Sequence, residues 1–257
     1  CKDCNKIFRA IFKKRYPEVC MIEVAFDDEP SVISGSKVVR MPRRAGFLTN
    51  ELVNNYIKEH WNNLASITIL DSDLILPKDF FESVMYKLAD YIGQPVFLQP
   101  FSKTRDLYPQ VAKSVNIQGE TYPSAAKIIS ESGSLIKESH TGYVHCYNRE
   151  LLCRIGPLKE CFVLGGYDHL LFLCLTGKCP PRFFKNDCLN NELQDLFVKI
   201  QGVKVEVING EILHEYHGNK FDRYKNRWKR YNELCKETIE AYFKSRQEDT
   251  IFNPFIY

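Results

Sequence analysis

Short apolar, β-rich runs alternate with stretches of helical period along most of this chain, and few folds accommodate that order. "VCMIEVAF" reads as a strand ending in the turn signal "DDEPS", and "SKVVRMP" as a second short strand. "TNELVNNYIKEHWNNL" has a Thr cap and helical spacing, followed by strand "SITIL" and a helix "PKDFFESVMYKLADYI" opened by Pro77. "PVFLQPFS" and "TGYVHCYN" read as strands, and "RELLCRIG" as a helix closed by its glycine. "HLLFLCLTG" and "ELQDLFVKIQG" read as helices, and "KVEVING" with "EILHEYHG" as a strand pair. A helix over residues 5–16 precedes all of this, and a long charged helix, "KFDRYKNRWKRYNELCKETIEAYFKSRQ", finishes it. Residues 102–135 are polar and irregular; "KTRDLYPQ" and "GETYPSAAK" read as substrate-facing loops. The alternation implies an α/β fold: a mostly parallel sheet flanked by helices, with a C-terminal helical extension. Residues 1–205 carry the main body, and 206–257 add a late strand and the basic helix to the same domain.

Composition narrows the function classes. A chain of 257 residues, 44% hydrophobic and 26% charged, can bury a substantial core. Its formal net charge of +3 is small for its size, which argues against a dedicated nucleic-acid surface. Basic residues do cluster locally, in "VVRMPRR" and "NKFDRYKNRWKR", where a phosphate-bearing small ligand is the expected partner. No apolar run approaches the roughly 20 residues of a membrane span, and the opening "CKDCNKIFRAIFKKRYPEV" is basic and amphipathic rather than a signal peptide. The ten cysteines sit inside apolar periodic segments, so buried free thiols are favoured over a disulfide framework. Zinc is disfavoured: Cys1 and Cys4 lack a second pair, and Cys174, Cys179 and Cys188 are irregularly spaced. Cysteine usage points to a cytoplasmic location; the alternative is the secretory lumen.

Three segments carry candidate chemistry. In "ITILDSDLILP", Asp71 and Asp73 flank Ser72 at the end of an apolar strand, where ligands collect in α/β sheets. Strand alternation puts both carboxylates on one side, and two converging hard oxygens suit Mg²⁺ or Mn²⁺. The plain alternative is a cap or turn. In "ILHEYHGNKFDRYKNR", His214 and His217 end a strand, and a neutral imidazole is a competent metal ligand. A spacing of three points them to opposite sides, so one of the two is expected to meet the metal. Lys220, Arg223 and Arg227 follow, as diphosphate contacts or as a solvated basic face. In "FVLGGYDHLLF", two glycines leave room for a ligand beside Asp168, which opens a helix as a simple cap or as a general base.

In this order, the segments resemble the GT-A family of nucleotide-sugar-dependent glycosyltransferases, in its family-2-like and galactosyl- or galactosaminyltransferase-like branches. "ITILDSDLILPKDFF" is similar to the family's D-x-D segment, "GYVHCYNRELLCRIGPLKECFVLGGYDHLLF" to its acceptor-side segment, and "ILHEYHG" to its late metal-binding strand. The resemblance covers residues 5–231. It implies a Rossmann-like GT-A sheet, with Asp71 and Asp73 holding Mn²⁺ or Mg²⁺ against a donor diphosphate and His214 or His217 as the late ligand. It further implies Asp168 as the base of an inverting reaction. Asp27, Asp28, Arg40, Ser72, Lys220 and Arg223 become donor contacts. The expected donor is a UDP-sugar, and the acceptor a glycan or a protein- or lipid-linked hydroxyl. A homo-oligomer formed through the C-terminal helix is a further expectation.

The chain departs from that pattern in three places. The family opens with a nucleotide-holding strand, whereas this sequence starts at the first helix; either that strand is missing from it or the fold builds the strand otherwise. "VLGGYD" lacks the tryptophan of related segments, and the Arg–Tyr spacing in "RYKNR" differs slightly. Two other functions compete. A sugar nucleotidyltransferase should carry a Gly-rich basic loop after its first strand, and none is visible. A degenerate GT-A-like scaffold would keep the fold and lose the chemistry.

Overall fold

The computed structural model describes residues 22–26, 37–41, 49–71, 74–107, 119–136, 138–162, 166–214 and 232. In chain order the strands are β1 (Ile22–Phe26), β2 (Lys37–Met41), β3 (Ser66–Leu70), β4 (Leu74–Ile75), β5 (Val96–Gln99), β6 (Lys103–Leu107), β7 (Gly119–Pro123), β8 (Val144–Asn148), β9 (Lys204–Val207) and β10 (Glu211–His214). The helices are α1 (Thr49–His60), α2 (Phe80–Ala89), α3 (Ala125–Ser132), α4 (Arg149–Ile155), α5 (Tyr167–Leu175) and α6 (Asp187–Ile200).

The chain is α/β, but its sheets are mixed rather than mostly parallel. One four-stranded sheet runs β3-β8-β5-β9, and a second runs β4-β10-β6-β7; β1 and β2 form a separate parallel pair. In the first sheet β8 is antiparallel to both β3 and β5, and only β5 with β9 is parallel. In the second, β10 is parallel to β6, and the β4–β10 and β6–β7 pairs are antiparallel. The expectation of parallel order fails in both sheets. In the first, β8 runs antiparallel between β3 and β5. In the second, residues 103–107 and 119–123, from a stretch read as irregular, form β6 and β7, which pair antiparallel, and residues 125–132 form α3.

A second correction concerns "KVEVING" and "EILH", which are both strands but not partners. β9 pairs with β5 and β10 with β6, so two consecutive strand pairs pass side by side from one sheet to the other. The crossing is held where Ser102 and Gly210 meet: the Ser102 and Lys103 N–H groups and the Ser102 hydroxyl all reach the Gly210 carbonyl, within 3.2 Å. A third correction is small. Helix α2 begins at Phe80 after Asp79, so Pro77 lies outside it.

The first sheet is covered on both faces. Phe97 belongs to a cluster with Ile57, Tyr147, Leu151, Leu171, Phe172 and Leu193, which draws in α1, α4, α5 and α6. Its neighbour Leu98 belongs to another cluster, with Phe80, Phe81, Val84, Val144 and Cys146, which draws in α2. Strand alternation sends successive residues of β5 to opposite faces, and all four are fully buried. Helix ends are set locally. Asn148 accepts from the Leu151 N–H to start α4, and Gly156 closes it with φ 74°, a conformation that an L side chain resists.

Candidate functional site

At one edge of the first sheet β3 and β5 end, and because β8 is antiparallel to both, it begins there. The loop 140–143 that precedes β8 therefore sits beside the ends of β3 and β5. Asp71 follows β3 directly; its N–H donates to the Tyr143 carbonyl at 2.9 Å, and its side chain is exposed. Gln99, the last residue of β5, is wholly buried and pins the same loop. Its amide nitrogen reaches the carbonyls of His140 at 3.1 Å and Gly142 at 3.3 Å, while its oxygen accepts from the Ala126 N–H at 2.9 Å.

The loop then contributes to two polar groups. In the first, the Thr141 hydroxyl donates to Asp168 Oδ2 at 2.7 Å. Asp168 lies in the first turn of α5, whose N-cap is Gly166 at φ 86° with no side-chain cap. Asp168 is therefore not the cap; it sits where the helix dipole favours an anion. His145 Nε2 lies 2.6 Å from the Thr141 carbonyl, which only accepts, so this nitrogen carries hydrogen. Burial is the main cause that holds His145 below the usual imidazole pKa, opposed by Asp168.

The second group joins Tyr143 to the other sheet. The Tyr143 hydroxyl lies 2.5 Å from Asp106 Oδ1 on β6 and 2.9 Å from His214 Nδ1 on β10. His214 Nδ1 lies 3.2 Å from the same Asp106 oxygen. The rings stack in series: His140 on Tyr143 at 3.7 Å between centroids, and Tyr143 on His214 at 4.3 Å. Gly119 on β7 lets the sheet close here, because a Cβ there would stand 2.2 Å from the Asp106 carbonyl oxygen.

Of the expected site residues, His214, Asp71 and Asp168 lie around this edge. His214 is the last residue of β10 and is the register partner of Leu74, the next residue in sequence after Asp71-Ser72-Asp73. Arg40 lies in β2, opposite Ala25 of β1. Asp27, Asp28, Ser72, Asp73, His217, Lys220, Arg223 and Arg227 lie outside the described residues. Among the described residues, no group of three or more His, Cys, Asp or Glu is placed to hold a metal ion. What sequence reasoning missed is the support: Gln99, Asp106, His140, Thr141, Tyr143 and His145. The one available signal was the density of polar and aromatic residues in "SHTGYVHCYN".

One observation at His214 bears on whether a divalent cation would be held here. Metal-ligating histidines turn their second ring nitrogen toward a carboxylate or carbonyl, and His214 does so toward buried Asp106. Compared with known proteins, the sequence matches no family model and no curated protein. Among the described residues no helix is long and apolar enough to cross a membrane, and Cys146, Cys153, Cys161, Cys174, Cys179 and Cys188 are free thiols.

Proposed function

We propose that this chain is a metal-dependent glycosyltransferase of GT-A type, which moves a sugar from a nucleotide-sugar donor, a UDP-sugar first, to an acceptor hydroxyl with inversion. The observation that carries the reading is the β4–β10 pairing. It sets His214 opposite Leu74, 140 residues away in sequence, and Leu74 follows the Asp-Ser-Asp segment directly in the chain.

Asp71 and Asp73, with His214 or His217, would hold Mn²⁺ or Mg²⁺. A cation there offsets negative charge developing on a diphosphate leaving group. The chain's own groups do the rest. Asp168, held by the Thr141 hydroxyl, is the carboxylate to take the acceptor's proton. His140 and His145, kept neutral by burial, add no competing positive charge beside it at neutral pH.

Incubating the full chain with Mn²⁺ and a panel of UDP- and GDP-sugars tests this. Slow donor hydrolysis is expected, and Asp71→Ala or Asp168→Asn should lower it by about 10²-fold or more, the scale of a lost electrostatic or acid–base group. No turnover and no nucleotide binding at any Mn²⁺ concentration would remove the reading in favour of a scaffold.

A further inference from the structure

Tyr143 has φ 79°, the one positive value among the described non-glycine residues. For an aromatic residue this conformation is strained and persists only where the surroundings hold it. Both ends of Tyr143 are held. Its carbonyl accepts from Asp71, and its hydroxyl stands between Asp106 and His214.

The three polar atoms form a triangle: Tyr143 Oη to Asp106 Oδ1 at 2.5 Å, Oη to His214 Nδ1 at 2.9 Å, and Nδ1 to Oδ1 at 3.2 Å. A carboxylate only accepts, and a phenol has one proton to give. The shortest side joins Tyr143 and Asp106, in the range of an O–H donor on an anionic oxygen, so the phenolic proton lies there. Both remaining sides then run from Nδ1 to oxygen lone pairs. Nδ1 must carry hydrogen, because its lone pair would otherwise face two oxygens inside a buried site. In the neutral ring that tautomer leaves the lone pair on Nε2. Stacking on Tyr143, with the ring planes 28° apart, fixes the direction in which the ring points.

We propose that Asp106 and Tyr143 are positioning residues that lock His214 as its Nδ1–H tautomer and so reserve its Nε2 for a divalent cation. The cation part rests on the function proposed above; the tautomer part does not.

Long-range ¹H–¹⁵N correlation spectra of the metal-free, ¹⁵N-labelled full chain at pH 8 read the tautomer directly, with His214→Gln to assign the signals. An Nδ1–H ring is expected. An Nε2–H ring, or an averaged mixture, overturns the proposal before any variant is made. Mn²⁺ affinity, followed by electron paramagnetic resonance, gives the second readout. Asp106→Asn can turn an amide donor toward Nδ1, so it should shift the ring toward Nε2–H and weaken Mn²⁺ binding by about 10–100-fold. Tyr143→Phe leaves Asp106 to accept from Nδ1, so it should keep the tautomer while weakening Mn²⁺ binding less. Unchanged Mn²⁺ affinity in Asp106→Asn overturns the positioning role. A wild type with the Nδ1–H ring but no Mn²⁺ binding upholds the lock and overturns the cation site, which separates the two ideas.

Discussion

His140 shows how much one side chain of this site depends on its surroundings. Burial, reinforced by His214 and His145 and opposed by Asp168, pushes its pKa down from 6.5 to about 4. Below pH 6.5 the unfolded chain therefore takes up a proton that the folded chain refuses until about pH 4. The stability at stake is present above pH 6.5 and is lost as pH falls through that window. The gap between the two values corresponds to on the order of 3 kcal/mol. His140 Nδ1 is buried and makes no hydrogen bond to the described residues, so His140→Phe removes the titrating group without breaking a bond there. Urea unfolding of both proteins from pH 7 to 4 is the check, and the variant should lose less stability over that interval. Equal losses would show that His140 takes up its proton in the folded state as easily as in the unfolded. Little of this was legible in the sequence. "TGYVHCYN" reads as a strand, and the strand is found over Val144–Asn148, but Asp106 lies 37 residues before Tyr143 and His214 lies 71 after it. Nothing local announces partners so far apart.

At the scale of elements, Asn148 joins a helix start to a sheet. Its side-chain oxygen accepts from the Leu151 N–H, which caps α4, and from the Val96 N–H at the start of β5, both at 3.1 Å. Its amide donates to the Gln94 carbonyl at 2.7 Å. Replacing it with alanine strips the cap and leaves the buried Val96 N–H without an acceptor. The expected cost is about 2–4 kcal/mol, read as a lower urea midpoint at unchanged slope. A loss below about 1 kcal/mol would mean that water takes over both bonds. Five of the six described helices were easy to foresee because caps and apolar spacing mark them, as at "NRELLCRIG"; α3 was not, because it lies in the segment read as polar and irregular. Strands β6 and β7 were not foreseen. The inward residues of β6 are Thr104 and Asp106, so its alternation is polar against polar and gives no hydrophobic period. The misread pair "KVEVING" and "EILH" has a different cause. Both are strands, but adjacency suggested a hairpin, whereas parallel pairing to β5 and β6 carries them onward into separate sheets.

For the molecule as a whole, the consequential feature is the seam between the two sheets. β5 and β9 leave the first sheet side by side, meet at Ser102 and Gly210, and enter the second as β6 and β10. The chain crosses the same seam again from β3 through Asp71 to β4. Asp71 thus belongs to one sheet's edge and His214 to the other sheet, with Tyr143 bonded to both. A ligand gripped by both sides favours the folded state with the seam closed, and linkage converts occupancy into stability. At a ligand concentration about a hundred times Kd the gain is about 2.7 kcal/mol. For a chain of this length that raises Tm by about 5–10 °C. Mn²⁺ with UDP should produce the full rise in wild type, with each component alone giving less, since cation and diphosphate complete one another's charge. His214→Ala removes the second sheet's contribution and should lose most of the joint effect, while Val198→Ser, on an exposed face of α6, should keep it. Differential scanning calorimetry decides the matter. If His214→Ala gains as much as wild type, the seam takes no part in binding and the ligand site lies elsewhere on the chain.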